Sequence, residues 1–164
     1  MLMKQPETPA ELLELHGVLR SDSQKYLQIV SEWVESDPDD GSAYYDRHLA
    51  WMRLGVPERA LEDLDQAINL DGSAMDYLAR GGVNRCLGRY TDALADYSRG
   101  EGIDPKQWDA DAILLLFQAD TYARTGDEAM AIVYCNRLPD DIWTPGMNGL
   151  PPGGKSDIRD ELSR

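Results

Sequence analysis

The feature that most restricts this chain is a repeat. Gly55, Ala60 and Leu61 return as Gly88, Ala93 and Leu94, a displacement of 33 residues. The displacement persists around them: Tyr44 falls on Tyr77, Leu54 on Leu87, Leu64 on Tyr97, Ala67 on Gly100, Leu70 on Ile103 and Asp71 on Asp104. A third copy lies 38 residues further on, where Gly126, Ala131 and Ile132 reproduce the signature and Leu115, Tyr122 and Cys135 fall near its apolar places. A period of this length means one supersecondary unit that cannot bury its apolar face alone and must stack on copies of itself.

Each unit reads as two helices. In the first, Ser42 is the expected N-cap, and Ala43, Tyr44, Arg47, Ala50, Trp51 and Leu54 follow at near-helical spacing up to Gly55, a stop signal. Pro57 suits a first turn, after which Ala60, Leu61, Leu64, Ala67, Ile68 and Leu70 mark one helix face. The second unit repeats this from Met75 to Leu87 and from Tyr90 to Ile103, closed by Asp104 and Pro105, because the residue before proline is disfavoured as helix. Gly81, Ala60, Ala93, Ala67, Ala119 and Ala131 sit where helices must approach closely, and Tyr44, Tyr77, Trp51, Tyr97 and Tyr122 fill the wider gaps.

On these residues the sequence resembles the tetratricopeptide repeat (TPR) family over Gly41 to Leu138. The carriers are Tyr44, Trp51, Gly55, Ala60, Leu64 and Ala67 in repeat 1, and Tyr77, Gly81, Val83, Gly88, Tyr90, Ala93, Tyr97 and Pro105 in repeat 2. Repeat 3 contributes Leu115, Ala119, Tyr122, Gly126 and Ala131. The resemblance implies an all-α fold, a right-handed superhelix of antiparallel helix hairpins. Departures are His48 at a position where the family prefers a small residue, Gly72 for the closing proline, Gly100 for an alanine, and an early end at Leu138 and Pro139.

The expected organisation is a single TPR-like domain over residues 1–164, with a degenerate helical hairpin over 9–36 serving as a polar cap. Repeats follow over 41–73, 74–106 and 107–138. Met1 to Gly41 carries nine acids against three bases, as a solvated cap would. Residues 139–155 hold four prolines and four glycines, so no helix is expected there. Ile142, Trp143, Met147 and Leu150 nevertheless give the segment enough apolar surface to lie against the solenoid. A short helix from Ser156 closes residues 156–164.

With 30 acidic residues against 16 Lys and Arg, the formal charge of −14 has the wrong sign for phosphate backbones or anionic lipid. No nucleic acid and no membrane partner is therefore expected. No stretch approaches the roughly 18 apolar residues of a membrane span, and no secretory leader is evident, which makes the cytoplasm the expected location. Reactive groups are few. His16, His48, Cys86 and Cys135 lie far apart, His48 reads as a hydrogen-bonded core residue, and both cysteines read as small buried hydrophobes. The glycine-rich run from Gly146 to Gly154 follows no predicted strand, so it does not read as a phosphate loop. Asp37, Asp39 and Asp40, or Asp63 and Asp65, lack the order of calcium ligands and read as solvated helix faces. Catalysis, metal and cofactor are not expected.

The family resemblance implies a concave wall formed by the first helix of each hairpin, able to hold a peptide or partner helix. By that register the wall comprises Tyr45, Leu49, Met52 and Arg53, then Met75, Leu78, Arg85 and Cys86, then Ile113, Leu116, Phe117, Asp120 and Arg124. Some family members clamp the C-terminal carboxylate of heat-shock chaperones with Lys, Arg and Asn. The matching positions here, Tyr45, Leu49, Ala79, Ile113 and Phe117, cannot do so. Apolar anchors with arginines at the rim fit instead. The segment bearing Trp143, Met147 and Leu150 could cover this wall from within the chain, and open and self-occluded walls both fit the sequence. The leading expectation is a non-catalytic interaction scaffold. Two alternatives are a small acidic bacterial secretion chaperone of the TPR class, holding a hydrophobic segment of a secreted protein, and a homo-oligomer assembled through exposed hairpin ends.

Overall fold

The computed structural model describes residues 5–6, 8–106, 111–144 and 150–163. The expected opening residues of repeat 3, 107–110, and the candidate segment residue Met147 lie outside them. The helices in chain order are α1 (Pro9–Ser21), α2 (Ser23–Ser36), α3 (Gly41–Arg53), α4 (Pro57–Leu70), α5 (Ala74–Cys86), α6 (Tyr90–Ile103), α7 (Ala112–Thr125), α8 (Glu128–Arg137) and α9 (Lys155–Leu162). Two short strands, β1 (Trp143–Thr144) and β2 (Gly153–Gly154), pair antiparallel between α8 and α9. The chain divides into two compact units, Met1–Val83 and Asn84–Arg164, and the boundary falls within α5.

The repeat signature has a direct backbone cause. Gly55, Gly88 and Gly126 each follow a first helix with φ of +73°, +74° and +79°, the left-handed conformation that ends a helix and that side-chain-bearing residues resist. Five residues later Ala60, Ala93 and Ala131 are fully buried, because a methyl group is all the space between two closely packed helices admits.

In the first unit α2 packs on α3 and α3 on α4. Its core is formed by Leu15, Leu19, Tyr26, Ile29, Val30, Trp33 and Val34 of the N-terminal hairpin with Ala43 and Ala50 of α3. Thr8 and Glu11 form a reciprocal capping box at the start of α1. The cap of α3 is Asp40 rather than Ser42: its Oδ1 accepts from the Ser42 N–H at 2.9 Å and from the Ser42 hydroxyl at 2.6 Å.

In the second unit α6 packs on α7, α7 on α8 and α9 on α8. Leu115, Leu116 and Ala119 of α7, Ala131, Tyr134 and Cys135 of α8, Leu138, Leu150, and Ile158 and Leu162 of α9 share one core. The C-terminal helix starts at Lys155, one residue before the expected Ser156, because Asp157 accepts from the N–H of Gly154 at 2.9 Å and so caps the helix there. The Pro/Gly segment divides: Leu150 is 3% exposed, whereas Trp143 is 67% exposed and does not pack down. Lys155 ties its two ends, donating to the Leu138 carbonyl at 2.7 Å and pairing with Asp140 at 3.0 Å.

Two sequence expectations need correction. Cys86 is exposed; only Cys135 is a buried thiol, which burial pushes up to about 11. Asp63 is no solvated face residue but is 4% exposed, and Arg47 holds both its oxygens at 2.9 and 2.6 Å. The equivalent Asp96, 33 residues on, is equally buried and accepts from the Asn84 amide at 3.0 Å. A buried carboxylate held by the first helix thus recurs in repeats 1 and 2, with Tyr134 at the equivalent place in repeat 3, and each carboxylate is hydrogen-bonded, as a buried charge must be.

Candidate functional site

In the first unit, the start of α3 and the turn from α4 into α5 enclose an open cavity of about 300 Å³. Its α3 side presents Gly41, Ser42, Tyr45 and Asp46; its other side presents Asp71, Ser73, Met75 and Asp76. Local sequence explains the shape. A Cβ at Gly41 would collide with the Asp71 carboxylate, so a larger residue there would have to displace that side chain from the edge of the cavity. Ser73 and Asp76 form a second reciprocal cap: Asp76 Oδ2 accepts from the Ser73 N–H at 2.8 Å and hydroxyl at 2.7 Å, and the Asp76 N–H donates to the Ser73 hydroxyl at 3.2 Å.

The cavity is electrostatically one-sided, since three of its lining residues are aspartates and none is cationic. Burial, reinforced by the nearby Asp40, pushes Asp46 up to about 6, against the opposing effect of Tyr26. Burial and then the charges of Asp76 and Asp46 raise Tyr45 as well. Asp40 behaves differently: burial acts to raise it, but hydrogen bonds from Ser42 and Gln5 more than reverse this and lower it. Behind Tyr45, His48 is 4% exposed and its Nδ1–H donates to the Tyr45 carbonyl. Burial holds this imidazole down to about 4, so it is neutral at pH 7 and fixes the tautomer by that bond. The two rings meet edge to face at 4.6 Å.

The remaining expected wall residues of this unit are Leu49, Met52 and Leu78, each half-buried, and Arg53, which is exposed. In the second unit the expected wall residues organise around Asp120, which is 0% exposed. Arg85 Nη1 and Arg124 Nε both reach Asp120 Oδ2 at 3.0 Å. The Arg85 guanidinium lies over the Phe117 ring at 4.4 Å, and Arg124 lies over Tyr90 at 5.2 Å while donating to its hydroxyl at 2.6 Å. These two arginines are therefore engaged by the chain itself rather than left at a rim. Leu116 is 8% exposed and belongs to the core, together with Leu150 of the segment expected to cover the wall. Ile113, by contrast, is 59% exposed.

Sequence reasoning missed Asp46, Ser73 and Asp76, which line the cavity with Tyr45. The spacing of Ser73 and Asp76 is itself a helix-start signal, and Asp46 follows Tyr45 directly on α3, one turn after Ser42, so the helix itself carries it to the same space. Among the described residues, no group of three or more His, Cys, Asp or Glu side chains is arranged to hold a metal ion, and no helix is long and apolar enough to cross a membrane.

Hairpins closed by left-handed glycines and packed through buried alanines define a helical-repeat protein, and the chain has the tetratricopeptide-repeat fold. It superposes on a thermophilic TPR protein of Thermus thermophilus with a TM-score of 0.66 and 19% identity, covering 97% of this chain and 81% of that one. It likewise superposes on MamA, with a TM-score of 0.65 and 19% identity over 72% of this chain and 67% of that one. Among curated proteins it is 32% identical over 87 residues to Hsp70-Hsp90 organizing protein 3 of Arabidopsis thaliana, covering 51% of this chain and 16% of that protein. It is 31% identical over 90 residues to serine/threonine-protein phosphatase 5 of Rattus norvegicus, covering 54% of this chain and 18% of that protein. The chain thus spans less than a fifth of the length of these two relatives. No protein-family model matches it.

Proposed function

We propose that the protein is a non-catalytic interaction module that takes a peptide or helix of a protein partner on the first helices of its hairpins. In the first unit that surface is α3 with the start of α5; in the second it is α7. The observation that carries this reading is the open cavity beside Tyr45, a concave, partly apolar space on a first helix with charged groups around it. The similarity to an Hsp70-Hsp90 organizing protein supports a protein partner. Tyr45, Leu49, Ala79, Ile113 and Phe117 supply no cation for a carboxylate clamp, which favours recognition of an internal segment over a free C-terminus.

Selection of displayed random dodecamer peptides on the intact chain, followed by calorimetry of the enriched sequences, tests this. Peptides are expected to bind with a Kd in the micromolar range, and Tyr45→Ala is expected to weaken them at least tenfold, as for an aromatic anchor. Failure to enrich any sequence, or binding indifferent to Tyr45→Ala and to Phe117→Ala alike, removes the proposal.

A further inference from the structure

The chain uses one arrangement repeatedly to hold its own arginines. Arg47 lies over Tyr44 at 5.4 Å and pairs with Asp63 at 2.6 Å. Arg80 lies over Tyr77 at 5.6 Å and pairs with Asp65 at 2.7 Å. Arg124 uses Tyr90 and Asp120, and Arg137 uses Tyr134, at 4.9 Å, and Glu101, at 2.6 Å. In each case an aromatic ring receives the face of the guanidinium, through attraction of the cation to the ring quadrupole, and a carboxylate receives its N–H edge.

The cavity of the first unit supplies the same parts without the arginine. Tyr45 provides the ring, Asp46 and Asp76 provide carboxylates on two sides, Asp71 adds a third, and Met75 adds an apolar wall for a side-chain stem. No lining residue is cationic. Its volume of about 300 Å³ exceeds what one arginine side chain fills, and the opening leaves the rest of a peptide outside. From this we infer that the cavity is a subsite for an arginine side chain of a protein partner, with Tyr45 under the guanidinium and Asp46 at its edge. The inference deepens the interaction-module reading and rests on it. The state of Asp46 agrees: burial without a compensating cation holds it near 6, the environment that an incoming guanidinium would relieve. A lysine ammonium would satisfy the carboxylates but would use the ring less well, because it is a compact, strongly hydrated charge.

The test is a titration of the uniformly ¹⁵N-labelled full chain with N-acetyl-arginine amide, alongside N-acetyl-citrulline amide, which keeps the shape and removes the charge. The arginine probe should give saturable amide shifts concentrated at residues 41–46 and 71–76, and the citrulline probe should bind at least about fivefold more weakly, the scale of one partly exposed ion pair. Asp46→Asn should weaken the arginine probe about threefold to fivefold and leave the citrulline probe unchanged. Equal binding of both probes, or unsaturable shifts spread over the acidic surface, overturns the inference. If Asp46→Asn disturbs the spectrum as a whole, Tyr45→Leu replaces it, and an unaltered arginine affinity there is equally fatal. The two proposals fail separately: peptides selected without an arginine, yet dependent on Tyr45, would preserve the interaction module and remove the arginine subsite.

Discussion

In the second unit Arg85 and Arg124 both close on Asp120, so a fully buried carboxylate has two guanidinium partners and each guanidinium has an aromatic ring beneath it. In the first unit Asp46 and Asp76 face a cavity with no cation in its lining. The same residue types close on each other in one place and, in the other, line a cavity that no cation enters from the lining. Charge on a first helix therefore says little about binding until its partners are known, since a carboxylate already paired with a cation has little left to offer a ligand and one without a cation beside an aromatic ring has more.

The largest expected effect breaks the closed side of this comparison. Asp120→Ala leaves two mostly buried guanidinium groups facing each other, which costs about 3 kcal/mol or more. Urea denaturation should show the midpoint falling accordingly, whereas Asp46→Ala should not produce a loss of that size. Next is Leu150→Ala, a buried leucine truncated to methyl, expected to cost about 2–3 kcal/mol. Hydrogen exchange should show protection falling across α7, α8 and α9 while α2 and α3 keep theirs. Protection lost equally in both units would show that they do not unfold separately.

A smaller pair of effects sharpens the open side through pH. Asp46 binds its proton more tightly folded than unfolded, so the stability this adds is complete below its ordinary value of 3.8 and is gone once pH has risen through about 6. Asp46→Asn should consequently gain on the native chain as pH rises across that window, by about 1 kcal/mol. His48 runs the other way: its ordinary 6.5 drops to about 4, so its contribution is complete above 6.5 and is lost as pH falls through about 4. His48→Asn, which can still donate to the Tyr45 carbonyl, should flatten the acid limb between those values. Thermal melts at half-unit pH steps separate the two. The smallest effect concerns the thiols. A neutral disulfide reagent should modify Cys86 rapidly in the native chain and reach Cys135 only on unfolding; rapid native reaction of both would contradict the core described for the second unit.

The helices were legible because their causes are local. Gly55, Gly88 and Gly126 mark turns that need a positive φ, and the buried alanines five residues later recur at fixed spacing, so pattern and backbone requirement coincide. The buried carboxylates were not legible by the same reasoning. Asp63 and Asp65 look alike in sequence, yet one is buried on Arg47 and the other is exposed beside Arg80. The signal for burial is the recurrence of Asp63 as Asp96, not the acidic character of the helix face. Trp143 and Leu150 show the same limit: both are apolar in a Pro/Gly segment, and only Leu150 enters the core.

Period, hairpin boundaries and the side of each helix that packs follow from the amino-acid order alone, since 3.6-residue periodicity and glycine's backbone freedom act over a few residues. Which arginine neutralises which aspartate, and where a carboxylate is left facing open space, was decided only when helices distant in sequence came together. Coulombic and desolvation energies depend on separation and burial in three dimensions, and neither is encoded at any single position of the chain.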